Sequence, residues 1–215
     1  MFAREAVSFV EGTGSQSEIE NLISLAMLIN DSDEELKLES RALKIALDPR
    51  LRTRAYMAMS FTYGRMNRLE DCLESLVNAV AEARRSEHKH LLLQALAEEC
   101  RVRVATDDLL GGLRLADEAL YMAVQLGRAD VHLKVLESLQ DISVKVKENY
   151  VTAILLPMTR YVRQGKKLPL LTEAESARLG PVATLLSAAA VSIFDNDGGR
   201  ELIPKLKSVI ESERG

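Results

Sequence analysis

RTRAYMAMSFTYGRMNRLEDCLESLVNAVAEARR, residues 52 to 85, is the stretch that decides the fold of this 215-residue chain. Its second half carries Leu69, Cys72, Leu73, Leu76, Ala79, Val80 and Ala83 at spacings of three and four, one apolar stripe along a helix over 69 to 85. Its first half predicts a helix from about Arg52 to Tyr63, and Gly64-Arg65-Met66-Asn67 between them reads as a tight turn. Two amphipathic helices joined so closely must pack on each other and on a further neighbour.

Outward from this pair the same grammar continues. Helices are expected over 17–30 and 34–47, separated by Asn30-Asp31-Ser32-Asp33, and Asp48-Pro49 ends the second. Downstream they are expected over 89–105, 109–126, 129–146 and 150–163, with Gly127 as a C-cap. Leu69, Leu109 and Tyr150 each open a helix after a short polar turn, at steps of about 40 residues. On the 109–126 helix, Leu109, Gly112, Leu113, Ala116, Ala119, Leu120 and Ala123 repeat the stripe, and the small residues allow close helix approach. Stacked hairpins would bury every stripe, so the expected class is all-α, an α-solenoid of antiparallel helical hairpins.

The last quarter differs. Gly165-Lys166-Lys167-Leu168-Pro169 reads as a connector, and Thr172 with Glu175 as a capping box opening a short helix. Gly180-Pro181 starts an apolar helix over 181–194, Asp195 to Gly199 forms a turn, and a charged helix follows over 200–213. The expected division is a repeat array over 1–165 and capping helices over 166–215. In that cap Val182, Leu185, Leu186, Ala189, Val191 and Ile193 cover so much of their helix that burial all round is expected.

The best unit resembles the tetratricopeptide repeat. Tyr56, Met59-Ser60 and Tyr63 stand at the family's first-helix positions, and Cys72, Leu76 and Ala79 follow at its second-helix spacing. A second copy reads Leu96, Glu99-Cys100 and Arg103, then Gly112, Ala116 and Ala119; sliding its first helix to Leu93, Leu96-Ala97 and Cys100 gives a better apolar face. Arg84 replaces the closing proline, consistent with extended units similar to those of bacterial regulators and kinesin light chains. The resemblance is carried by 53–127 and extends over 17–163. It implies a right-handed solenoid whose first helices line a concave, partner-binding groove. Groove candidates are Arg54, Met57, Phe61 and Arg65, and then Gln94, Ala97 and Arg101. Chaperone-docking members carry Lys and Asn where Met57 and Phe61 stand, so the carboxylate-clamp mode is not expected. Arg54, Phe61 and Arg65 are seven and four residues apart and project from one side of their helix, with Arg101 expected alongside. Arginines around an apolar centre suit an acidic or amphipathic peptide segment.

Composition narrows the function classes. A net charge of −4 provides no overall basic excess for phosphates, so no nucleic-acid partner is expected. Arg4, Glu5 and Glu11 interrupt the N-terminus, where no signal peptide is read, and the longest apolar run, Val182 to Phe194, is too short to span a bilayer. Cys72 and Cys100 lie on apolar stripes and form no CxxC pair; buried, reduced thiols and a cytoplasmic location are expected. The acidic run Asp31, Asp33, Glu34 and Glu35 reads as a solvated helix start.

No catalytic, cofactor-binding or metal site is expected. His88, His90 and His132 have no Cys or acidic partner at a ligand spacing and are expected at the surface. Asp195-x-Asp197-Gly198-Gly199 has its glycine too early for a calcium loop and lacks the closing Glu. The functional expectation is a non-catalytic adaptor or scaffold for protein–protein interaction, binding a protein or peptide partner in the groove. The alternative is a ligand- or peptide-sensing domain that controls a separate output. The sequence leaves the oligomeric state open, a homodimer included.

Overall fold

The structure is a computed structural model and describes residues 12–29, 31–165, 170–179 and 181–213. The readings placed on the N-terminus through Glu11, on Asn30, on the connector Lys166–Pro169 and on Gly180 lie outside the described residues. Among those described there are eleven α-helices and no strand: α1 Gln16–Ala26, α2 Ser32–Ile45, α3 Pro49–Arg65, α4 Leu69–Arg85, α5 Lys89–Ala105, α6 Leu109–Gln125, α7 Ala129–Lys145, α8 Asn149–Arg163, α9 Glu173–Leu179, α10 Pro181–Asp197 and α11 Ile203–Glu213. A 3-10 turn, Arg200–Leu202, precedes α11.

From α3 to α8 the helices begin at 49, 69, 89, 109, 129 and 149, a step of twenty residues. One turn chemistry sets the step. Asn67, Glu87, Asp107, Gly127 and Lys147 all take the left-handed conformation, with φ of 55–63°. Beyond four of them the chain N–H reaches back to a carbonyl of the last helical turn: Arg68 to Tyr63, Asp108 to Arg103, Arg128 to Ala123 and Glu148 to Ser143, at 2.8–3.0 Å. Those bonds satisfy carbonyls that a helix end otherwise leaves unpaired. Glycine does this at least cost, yet only Gly127 is glycine. Hence the sequence signals the turns through spacing more than through residue type.

Two compact units make up the chain, residues 1–102 and 103–215, with the boundary inside α5. In the first, α1 packs on α2 and α3, α2 on α3, and α3 on α4. Ile19, Leu22, Ile23 and Leu25 of α1 meet Ala42, Ala46, Leu51 and Ala55 in one core. Cys72 and Leu76 of α4 meet Val102 of α5 in another. Neither cysteine is in a disulfide and both are buried, as their place on the stripes predicts.

In the second unit α6 packs on α7, and α7 on α8. Leu120, Leu136, Leu139, Ile142, Ile154 and Met158 are closed to solvent, each contributing about 2 kcal/mol of burial. The chain then returns: α10 packs on α8, and α11 on α6. Ala190, Phe194, Leu206 and Ile210 are the buried anchors of this return. The expected burial of α10 all round does not occur. Ala183, Ala190 and Phe194, at spacings of seven and four, form the face toward α8, while Leu185 stays 69% exposed and Val182 49%. The helix also runs on to Asp197, so the turn expected over 195–199 contracts to Gly198 and Gly199, both at positive φ.

Those two glycines fit tightly. A Cβ on Gly198 would stand 2.7 Å from Val124 Cγ2 and 2.8 Å from His132 Cε1, and one on Gly199 3.1 Å from Leu136 Cδ2 and Met158 Sδ. His132, expected at the surface, is instead buried; its Nε2 donates to the Gly198 carbonyl at 2.7 Å, and its ring lies 4.8 Å from that of Phe194. An imidazole offers a polar edge to a backbone carbonyl and a flat face to an aromatic ring, which is what the returning chain presents.

Candidate functional site

The candidate surface is α3, and its start is well defined. Asp48 accepts from the Arg50 N–H at 2.7 Å, and Pro49 occupies the first helical position, where its missing N–H costs nothing. Thr53, Ala55, Ser60 and Thr62 turn inward. The candidate residues fall between these inward positions. Phe61 is 64% exposed, Met57 is half-buried, and the Arg65 guanidinium sits 5.5 Å from the Phe61 ring centroid. Phe61 and Arg65 therefore lie side by side on α3.

Each candidate arginine already has a carboxylate. Arg54 Nη1 donates to Glu20 Oε1 of α1 at 2.9 Å. Arg65 Nη2 donates to Glu35 Oε2 of α2, whose side chain is 3% exposed. Arg101 Nε donates to Glu98 Oε2 on its own helix at 3.0 Å. The three pairs differ in kind. Those of Arg54 and Arg101 join carboxylates that solvent still reaches and are worth little to stability. That of Arg65 compensates a buried charge, so its loss is costly. Arg101 and Glu98 are near enough to Cys72 for opposite effects on its thiol, which burial pushes up overall.

Residue patterns did not reveal the acidic chemistry behind α3. The run at the start of α2 is only partly a solvated helix start. Asp31 caps the helix as expected, accepting from Asp33 and Glu34 N–H at 3.0 and 3.2 Å. Glu35 and Glu39, however, are each 2% exposed. Glu35, Glu39, Ala42 and Ala46 are four, three and four residues apart, so the helical stripe used elsewhere in the chain does include them. Reading acidity alone as exposure hid it. Thr62 Oγ1 lies 3.1 Å from Glu35 Oε2 and 3.0 Å from Glu39 Oε1. Burial and the nearby Glu35 charge push the Glu39 carboxyl up to about 7 against the relief given by Thr62 and Arg65.

Other cross-helix pairs brace the same region. Arg41 reaches Glu18 at 2.8 Å, and Glu18, held by the Gly12 and Gly14 N–H groups, has its pKa lowered. Arg52 bonds Glu82 of α4 at 2.8 Å and reaches the Leu43 and Ala46 carbonyls at the end of α2.

The second unit holds an open groove of about 540 Å³ between α6 and α11, lined by Leu110, Leu113, Arg114, Ile203 and Lys207. The carboxylates at its rim are engaged, Asp108 by Arg103 at 2.5 Å and Asp117 by Arg200 at 2.7 Å. Among the described residues no three His, Cys, Asp or Glu side chains could hold a metal ion together. No single helix among them is long and apolar enough to cross a membrane. His88 and His90 are exposed, as expected. Compared with known protein families, curated proteins and solved structures, the chain matches none.

Proposed function

We propose that this chain is a tetratricopeptide-like, right-handed solenoid of antiparallel hairpins that acts as a non-catalytic, cytoplasmic adaptor. Its partner is an acidic or amphipathic protein segment that docks on the exposed face of α3 and on Arg101. The observation that carries the reading is Phe61, a large aromatic left 64% exposed with a guanidinium stacked beside it. Exposed aromatic area next to Arg is the residue chemistry enriched at binding hot spots. The twenty-residue helix step supports the repeat architecture, because two such steps make one forty-residue hairpin.

Arg54 and Arg101 can exchange their solvated carboxylates for a partner's at little cost. Arg65 serves mainly to orient Phe61, since its own carboxylate is buried. The decisive experiment is affinity capture with the full chain, comparing wild type with Phe61→Ala/Arg101→Ala. Neither side chain is buried, so melting should move by no more than about 2 °C. The captured partner should be lost, with binding weakened by about 1–3 kcal/mol. Undiminished capture by the double variant would place the docking surface elsewhere.

A further inference from the structure

The side chains between α2 and α3 contain a proton-counting problem. Thr62 has one hydroxyl hydrogen, yet its oxygen is within hydrogen-bond distance of a carboxylate oxygen from both Glu35 and Glu39. It can donate to only one of them. If both carboxyls were ionised, the second contact would set two acceptors against each other at 3.0 Å, in a site closed to water. The arrangement is satisfied when one carboxyl carries a proton and donates it to the Thr62 oxygen. Arg65 identifies the ionised member, because its guanidinium is bonded to Glu35. The proton therefore belongs on Glu39, giving a chain from Glu39 O–H to Thr62, from Thr62 O–H to Glu35, and from Arg65 to Glu35.

We propose that Glu39, Thr62, Glu35 and Arg65 form a proton-holding clasp between α2 and α3, closed when Glu39 is protonated and loosened when that proton passes to solvent. The remaining oxygens support it. Glu35 Oε1 and Glu39 Oε2 are buried with no hydrogen-bond partner, so a second negative charge there would be neither hydrated nor bonded. The charges around Glu39 do not remove the conflict. On its own helix stands Glu35, which repels; on α3 stands Arg65, already shared with Glu35. On α1, Glu18 and Glu20 are taken up by Arg41 and Arg54. No histidine occurs between residues 16 and 65, so neutral-range titration in these three helices falls to a carboxyl. The inference stands on α2 and α3 and does not depend on the partner reading.

Folding raises the Glu39 carboxyl from its ordinary 4.5 to about 7. Its contribution is thus full below pH 4.5 and is lost as pH rises through about 7. Between pH 5.5 and 8.5 the folding equilibrium should fall by about thirtyfold on this account. Two measurements test it: a carbon-13 titration of the glutamate carboxyls in the wild-type full chain, and unfolding from pH 5.5 to 8.5 for wild type and Glu39→Gln. The amide of that variant still donates to Thr62 but cannot lose a proton. The expected result is one carboxyl titrating near neutrality, absent from the variant, and a wild-type folding equilibrium that falls about thirtyfold more than the variant's over the range. His88, His90 and His132 contribute equally to both proteins and cancel. Wild-type glutamates all titrating below pH 5 would overturn the clasp, as would identical pH slopes for the two proteins. If the variant does not fold, the wild-type titration decides alone.

Discussion

The two units are both made of short α-helices and are fastened by different means. In residues 1–102, side chains of opposite charge cross from helix to helix: Glu18 to Arg41, Glu35 to Arg65 and Glu82 to Arg52. In residues 103–215 the cross-helix ion pairs, such as Arg163 with Glu137, lie nearer the surface, the contacts at depth are mainly apolar, and the chain's own C-terminal stretch returns to close them with Phe194, Leu206 and Ile210. Among the described residues every buried carboxylate belongs to the first unit: Glu18, Glu35, Glu39, Glu82 and Glu99. The buried polar residues of the second are His132, Ser138, Ser143 and Thr159. One helical grammar thus tolerates two kinds of cement with opposite vulnerabilities. Charged cement responds to protons and salt, whereas apolar cement responds to shape.

The largest effect should come from shape in the second unit. Gly198→Val places a branched side chain at φ 70° and against Val124 and His132, and should cost about 3–4 kcal/mol in denaturant unfolding followed by circular dichroism. Hydrogen exchange should quicken in α6–α8 and α10–α11 while α1–α3 stay protected. Equal loosening of both units would break the contrast.

Charge in the first unit comes next. Arg65→Ala leaves Glu35 buried without its cation and should cost about 1–3 kcal/mol at pH 7, with faster exchange in α2 and α3. Arg101→Ala, whose pair is exposed, should stay within about 0.5 kcal/mol. Similar costs for the two would show that burial does not separate these pairs.

An acid response sharpens the comparison from the opposite side. Arg160 and the Thr172 backbone hold the Glu175 carboxyl down at about 2. Folding lowers this pKa, so its contribution is present above the ordinary 4.5 and lost as pH falls through about 2. Proteolysis near α9 should therefore increase below pH 4, the reverse of the alkaline loosening expected at Glu39. Replacement of Glu175 by Gln should make α9 equally sensitive at pH 4 and pH 7.

The smallest effect concerns what the units share. Lys147 holds a left-handed turn at φ 55° that glycine adopts without strain, so Lys147→Gly should stabilise by about 0.5–1 kcal/mol. Gly127→Ala, at the same point of the step in an open site, should destabilise by a similar amount.

Much of the helical layout was legible because it is local. The stripe through Leu69, Cys72 and Leu76 places α4 at its observed bounds, and Thr172 with Glu175 makes the capping box that opens α9. Of the candidate surface, the nearness of Phe61 to Arg65 follows from a four-residue spacing on one helix. What those arginines touch did not follow, since Glu20 and Glu35 lie 34 and 30 residues away in the chain.

By itself, then, the sequence determined that this protein is helical, the order and approximate span of its helices, and most of the apolar faces that need cover. Those properties depend on residues within a turn or two of one another, and their energies add along the chain. Only the tertiary structure decided that Glu35 and Glu39 are inside, that His132 bonds a carbonyl 66 residues away, and that α10 leaves Leu185 in water. A charged or apolar side chain has no fixed place of its own. Its burial is settled by whether a distant partner such as Arg65, Thr62 or the Gly198 carbonyl arrives to compensate it.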